Sequence, residues 1–177
     1  SNEHHVIAVS PGRHRVAVVV PSGSRQTVRI DDQVLSDVFD EVLGKRSSSS
    51  LGNPFTFSAD GEHYGFTAKR GAMYFTVVDG KAGIPSELPY IVELKFSHGG
   101  ARHAYVIAPF DSAGRPEQVA SGESETSRAR AYRVVLDGVP GTPYISVENL
   151  MFSADGRRFA YVATGYMPGK STTAIVV

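Results

Sequence analysis

One pattern occurs four times along the chain, and it restricts the possible folds more than any other feature. Its clearest copy is Leu150-Met151-Phe152-Ser153-Ala154-Asp155-Gly156, followed by Phe159-Ala160-Tyr161-Val162-Ala163. Asp bonds backbone amides two residues on and Gly accepts positive φ, so Ser153 to Gly156 is turn chemistry. The flanks alternate and are rich in aromatic and β-branched residues, as half-buried strands require. Shifting by 56 residues returns Leu94-Lys95-Phe96-Ser97-His98-Gly99-Gly100, then His103-Ala104-Tyr105-Val106. Shifting by 95 returns Phe55-Thr56-Phe57-Ser58-Ala59-Asp60-Gly61, then Tyr64-Gly65-Phe66-Thr67. Shifting by 143 returns a weaker copy, Ile7-Ala8-Val9-Ser10-Pro11-Gly12, then Val16-Ala17-Val18-Val19.

A second element follows each hairpin: Phe75 to Gly80 matches Arg133 to Gly138, with Val28 to Asp32 as the weaker version. A third, Phe39…Val42, Tyr90-Ile91 and Tyr144-Ile145, leads into the next copy. The unit is therefore three strands and a fourth, irregular segment. Val9, Phe57, Phe96 and Phe152 are equivalent and lie 48, 39 and 56 residues apart. A period of this size with about four strands per unit is that of propeller blades.

The run F-S-x-D-G-x-x-x-A-Y-V followed by V-V-x-D-G resembles the WD-type repeats of TolB-like β-propellers, over nearly the whole chain. The first copy departs by lacking the Asp-Gly turn, and the third has His98-Gly99-Gly100 in its place. The resemblance implies an all-β, propeller-like fold of four repeats of three or four antiparallel strands, near residues 3–44, 54–90, 91–145 and 146–177. These form a single domain, as the length of 177 residues also predicts. A periplasmic or extracellular location is implied by the resemblance alone. Ser1-Asn2 has the form of a tag-cleavage remnant, which would leave room for a signal peptide upstream.

Lys plus Arg and Asp plus Glu are 18 each, so no overall field favours nucleic acid or acidic lipid. The absence of Cys excludes disulfides and thiol chemistry. No apolar run approaches the roughly 18 residues of a membrane helix.

Between Gln33 and Gly44 the sequence supports two readings. Apolar pairs at 34/35, 38/39 and 42/43 fit an amphipathic helical turn ended by Gly44, whereas the repeat makes Phe39 to Leu43 a link into the next unit. Residues 45–53, with four consecutive serines, read as a loop. The main insertion, Pro109 to Arg130, is polar and aperiodic and reads as a mobile surface loop. The last copy stops at Ile175-Val176-Val177, where the others continue into Asp-Gly, so the last blade is expected to be incomplete. An open strand edge invites pairing. Three arrangements satisfy it: a small four-bladed ring closed by the first strand, two chains forming halves of a larger ring, or a piece of a longer propeller.

No catalytic constellation emerges. None of the six histidines has a zinc spacing, although His14 and His63 occupy nearly equivalent hairpin positions. Asp60, Asp79, Asp137 and Asp155 lack the oxygen density of a calcium loop and read as turn residues. No Gly-x-Ser-x-Gly elbow occurs. Gly165 and Gly169-Lys170-Ser171 leave three residues between the glycines where a phosphate loop needs four, and this stretch reads as a loop between strands. Matching repeat positions place most of the eight tyrosines between blades, with Tyr132 and Tyr166 beside loops.

The expected function is a non-enzymatic binding or protein-interaction module, with no cofactor and no metal. Its expected contact is the strand edge Ala174, Ile175, Val176 and Val177, which could also join two copies as a homodimer by strand addition. Two alternatives stand beside it: the gating propeller of a prolyl-oligopeptidase-type hydrolase whose catalytic domain is absent, and small-ligand or glycan binding in a central channel.

Overall fold

The computed structural model describes residues 5–43, 55–87, 94–111, 113–121, 128–167 and 170–176. The first sheet contains β1 (His5–Val9), β2 (Val16–Ser22), β3 (Arg25–Ile30) and β4 (Gln33–Val34), antiparallel and in chain order. In the second sheet β5 (Glu41–Val42) and β6 (Phe55–Phe57) both pair with β7 (Tyr64–Arg70), which is followed by β8 (Met73–Val78) and β9 (Lys81–Ala82). The third contains β10 (Lys95–Phe96) and β11 (His103–Ile107). A separate hairpin of β12 (Gln118–Ala120) and β13 (Arg128–Arg130) precedes its outer strands, β14 (Tyr132–Leu136) and β15 (Val139–Tyr144). The fourth contains β16 (Ser146–Phe152), β17 (Phe159–Met167) and β18 (Lys170–Val176).

Alternation along the central strands gives each sheet two apolar faces, and successive sheets pack face to face. Ala17, Val19, Val28 and Ile30 of the first meet Phe55, Tyr64, Phe66 and Ala68 of the second. Tyr105, Ile107 and Val135 of the third receive Ile84 and Leu94. Ala104, Val106 and Val134 meet Phe159, Tyr161 and Ala163 of the fourth. Aromatic rings fill the first of these interfaces, with Phe55 stacked on Phe66 at 5.6 Å and Phe39 edge-on to Phe66 at 6.0 Å. Such pairs add about 0.5–1.5 kcal/mol each beyond area burial.

Of the two readings of residues 33–43, the link holds and the helical turn does not. The segment forms β4, a bridge between Phe39 and Gln26, and β5 on the next sheet. Its four-residue spacing arises because Leu35, Phe39 and Val42 all reach the core between the first two sheets. The insertion 109–130 is also corrected: it is not irregular throughout. Gln118 pairs with Arg130 and Ala120 with Arg128, and Arg133 ion-pairs with Glu117 at the hairpin's base. Residues 45–53, Tyr90 and Ile91, 122–127 and Val177 lie outside the described residues. Gly165 to Met167 pair with Lys170 to Thr172 as two strands, Met167 opposite Lys170, and Pro168 and Gly169 between them lie outside the described residues.

Candidate binding groove between the third and fourth sheets

The serine of each repeat builds the same turn. Its hydroxyl accepts the backbone N–H five residues on, from Arg15, His63, Arg102 and Arg158, at 2.9–3.1 Å. Where an aspartate follows, the serine hydroxyl also donates to it: Ser58 to Asp60, and Ser153 to Asp155 at 2.6 Å. These bonds, with the N–H groups of Glu62 and Arg157, hold both carboxyls below the usual aspartate range.

The residue five past the serine performs a second task. Arg15, His63 and Arg102 each meet the aspartate that ends the third strand of their own sheet: Asp31 at 3.2 Å, Asp79 at 2.8 Å and Asp137 at 2.9 Å. The other oxygen of each aspartate accepts the N–H of the next residue, Val16, Tyr64 or His103. All three aspartates take positive φ, between 47° and 53°, which Asp tolerates better than most residues. The same side chains then reach the following sheet. Arg15 donates to the Glu62 carbonyl at 2.8 Å and lies 5.9 Å from the Phe57 ring. Arg102 donates to the Arg157 carbonyl at 3.0 Å and lies 5.7 Å from Phe152. His63 stacks on Phe96 at 6.4 Å. The repeat thus carries a latch from each sheet to the next. Reading the aspartates as turn residues alone missed this role. The signal was present, because the offsets that align the serines also align Arg15, His63, Arg102 and Arg158.

Between the third and fourth sheets the apolar packing is incomplete at the rim. Four residues after the latch aspartate stand Leu35, Gly83 and Gly141 in the three sheets. Leu35 packs into the core, and Gly83 lies so close to Tyr105 that a Cβ would fall 2.3 Å from its hydroxyl. A Cβ on Gly141 would meet only the Val134 carbonyl, at 3.4 Å. The unfilled space is a groove of about 670 Å³ lined by Val134, Val139, Phe159 and Tyr161, with Arg102, Arg157 and Arg158 as its cations. Asp137 is the one carboxylate on this lining. Val139 is 68% exposed. Burial, reinforced by neighbouring Tyr144, pushes the Tyr161 phenol up to about 12, so it is a neutral hydrogen-bonding group at ordinary pH.

The expected contact edge lies on β18, the last strand of its sheet among the described residues; its Val176 pairs with Tyr161, which lines the groove, and Ala174 pairs with Ala163. Thr173 and Ala174 are exposed. The equivalent strands β3, β8 and β14 each carry a further strand outside them. His14 and His63 do not converge in function, since His63 takes the latch position whereas Arg15 does so in the first sheet. Among the described residues no group of three or more His, Asp or Glu could hold a metal ion.

No protein-family model matches the chain, and no curated protein matches it in sequence. Solved structures do. The crystal structure of the tricorn protease matches over 94% of this chain, at 14% identity and a TM-score of 0.52. This is a β-propeller-like fold. The four sheets are its blades, and the fourth has three strands among the described residues. TolB from Acinetobacter baumannii aligns over 98% of the chain at 15% identity, with a TM-score of 0.33. The chain spans 16% of the tricorn protease chain and 51% of the TolB chain.

Proposed function

We propose that this chain is a non-enzymatic interaction module that receives an extended segment of a protein partner at the outer side of the fourth blade. The observation that supports this is the groove between the third and fourth blades, where the apolar side chains of Val134, Val139, Phe159 and Tyr161 line open space. Strand addition gives affinity through main-chain hydrogen bonds, and an adjoining pocket gives selectivity. A periplasmic or extracellular setting belongs to the same proposal. No helix among the described residues is long and apolar enough to cross a membrane.

A display selection of random peptides against the chain tests the reading. Recovered peptides should lose binding to Ala174→Lys, which places a charge on the edge, and to Val139→Lys, which places one in the groove. Peptides that bind both variants as well as the parent chain would refute it. Solution mass by light scattering separates the homodimer form: twice 19.0 kDa, about 38 kDa, would assign the edge to a second copy. The second reading is an accessory propeller of a hydrolase, and the match to part of a protease chain favours it. A longer natural reading frame containing Gly-x-Ser-x-Gly would select that reading.

A further inference from the structure

The seam between the second and third blades departs from its neighbours at four repeat positions. Where β2 and β3 pair Val19 with Val28, and β11 and β14 pair Val106 with Val134, β7 and β8 pair Thr67 with Thr76. Both threonines are buried, and the Thr76 hydroxyl has no hydrogen-bond partner among the described residues. The latch residue here is His63, where the first and third blades carry Arg15 and Arg102. The residue facing it from the third blade is His103, where the second and fourth blades carry Tyr64 and Phe159. The buried apolar cluster of this seam, Tyr105, Ile107 and Val135, is also the smallest of the three among the described residues. We propose that this seam is an acid-sensitive joint: protonation of His103 opposite His63 opens the second blade from the third, while the seams latched by Arg15 and Arg102 stay closed.

The groups around the two rings set the direction. His103 lies 6.3 Å from Phe96 and stacks on Tyr105 at 6.3 Å, and His63 stacks on the Phe96 ring from across the seam. In its own blade Asp137 is 4.0 Å from the His103 Nδ1, but its oxygens already hold the His103 N–H and the Arg102 guanidinium. Lys95, opposite Ala104, falls on the other face of this strand pair. Across the seam, Asp79 is occupied by His63 at 2.8 Å and by the Tyr64 N–H. Asp60 is taken by Ser58 and the Glu62 N–H, and Arg15 of the first blade by the carbonyls of Gly61 and Glu62. The packing is close: a Cβ on Gly100 of the third blade would fall 2.5 Å from the His63 ring and 3.1 Å from the Asp60 carboxylate. A proton on His103 thus adds a cation to a part-buried seam whose carboxylates are already engaged. Burial, against the pull of Asp137 and Asp79 and with the push of His63, holds the His103 ring below the ordinary histidine range. With the folded pKa depressed, the stability linked to this ring is complete above the ordinary histidine value and is lost as pH falls through the lowered one. Arginine keeps its charge throughout, so the flanking latches do not titrate there.

Hydrogen exchange read by mass spectrometry at about pH 7.5 and about pH 5, corrected for the intrinsic effect of pH on amide exchange, tests the joint. At the lower pH, protection should be lost in β8, β10 and β11 and kept in β2 and β3. His103→Phe, which carries the fourth blade's residue at this position, should abolish that loss. His103→Gln, neutral at every pH, should abolish it without relying on aromatic packing. In an NMR titration of the histidine rings, His63→Gln should move the His103 transition to higher pH, because the cation opposite it is gone. Protection that falls alike in all blades, or that is lost as much in His103→Phe and His103→Gln as in the parent chain, would overturn the joint. An unmoved His103 transition in His63→Gln would overturn the pairing across the seam.

Discussion

Asp137→Ala is the sharpest test of the latch between blades. One carboxylate oxygen accepts the His103 N–H at 2.9 Å, and the other holds the Arg102 guanidinium at 2.9 Å. A hydrogen bond to a charged group contributes about 1.5–3 kcal/mol when buried. The Asp137 side chain is 38% exposed, so about 1 kcal/mol is the appropriate share. The half-exposed ion pair with Arg102 adds about 0.2–1 kcal/mol. Alanine must also take φ of 50°, a left-handed conformation costing an ordinary L-residue roughly 1 kcal/mol. The expected loss is about 2–3 kcal/mol. Asp137→Asn keeps an oxygen for His103 N–H and the tolerance of positive φ, losing chiefly the ion pair, so its cost should stay below about 1 kcal/mol. Urea unfolding followed by circular dichroism reads both, since the chain has no Trp. Equal costs for the two variants, or a cost for Asp137→Ala below about 0.5 kcal/mol, would refute the latch as a stabilising device.

Other expectations follow from the same geometry. Gly83→Ala should destabilise by about 1–3 kcal/mol through overpacking against Tyr105, whereas Gly138→Ala, with open space and only φ of 83° to oppose it, should cost about 1 kcal/mol. Comparing their unfolding midpoints checks the difference. Absorbance titration should show Tyr161 ionising near 12, and Tyr161→Phe should remove that step. Its folded pKa is raised above the unfolded value near 10, so the stability linked to it is complete below pH 10. It is lost as pH rises from about 10 to 12. Asp155 has the opposite sign. Its folded pKa is depressed, so its contribution is present above the ordinary aspartate value and lost as pH falls through the lowered one. Ser153→Ala should return its carboxyl resonance toward ordinary titration in an NMR pH series.

What could be read along the chain was local. The Ser-x-Asp-Gly turns depend on bonds spanning two to five residues, so the motif and its fold were legible together. The latch was harder to see because Arg102 meets Asp137 35 residues away and the Arg157 carbonyl 55 residues away, on another blade. The hairpin Gln118–Ala120 with Arg128–Arg130 escaped because three-residue strands rich in Gln and Arg show no apolar alternation. The groove escaped for a different reason. It arises from a missing side chain at Gly141, and only the packing of two blades shows that nothing else fills the place.

By itself the sequence determined that this protein is built of repeated antiparallel strands. Period-two alternation and Asp-Gly turn chemistry act over a few residues, and their four-fold recurrence leaves few architectures that bury both sheet faces. Tertiary structure alone decided what the latch side chains meet on the neighbouring blade. Arg15 and Arg102 are alike in their local sequence, and only the packing of the sheets brings them to the carbonyls of Glu62 and Arg157. Ion pairing and groove shape are properties of distant segments brought together, and that information appears only once the sheets are packed.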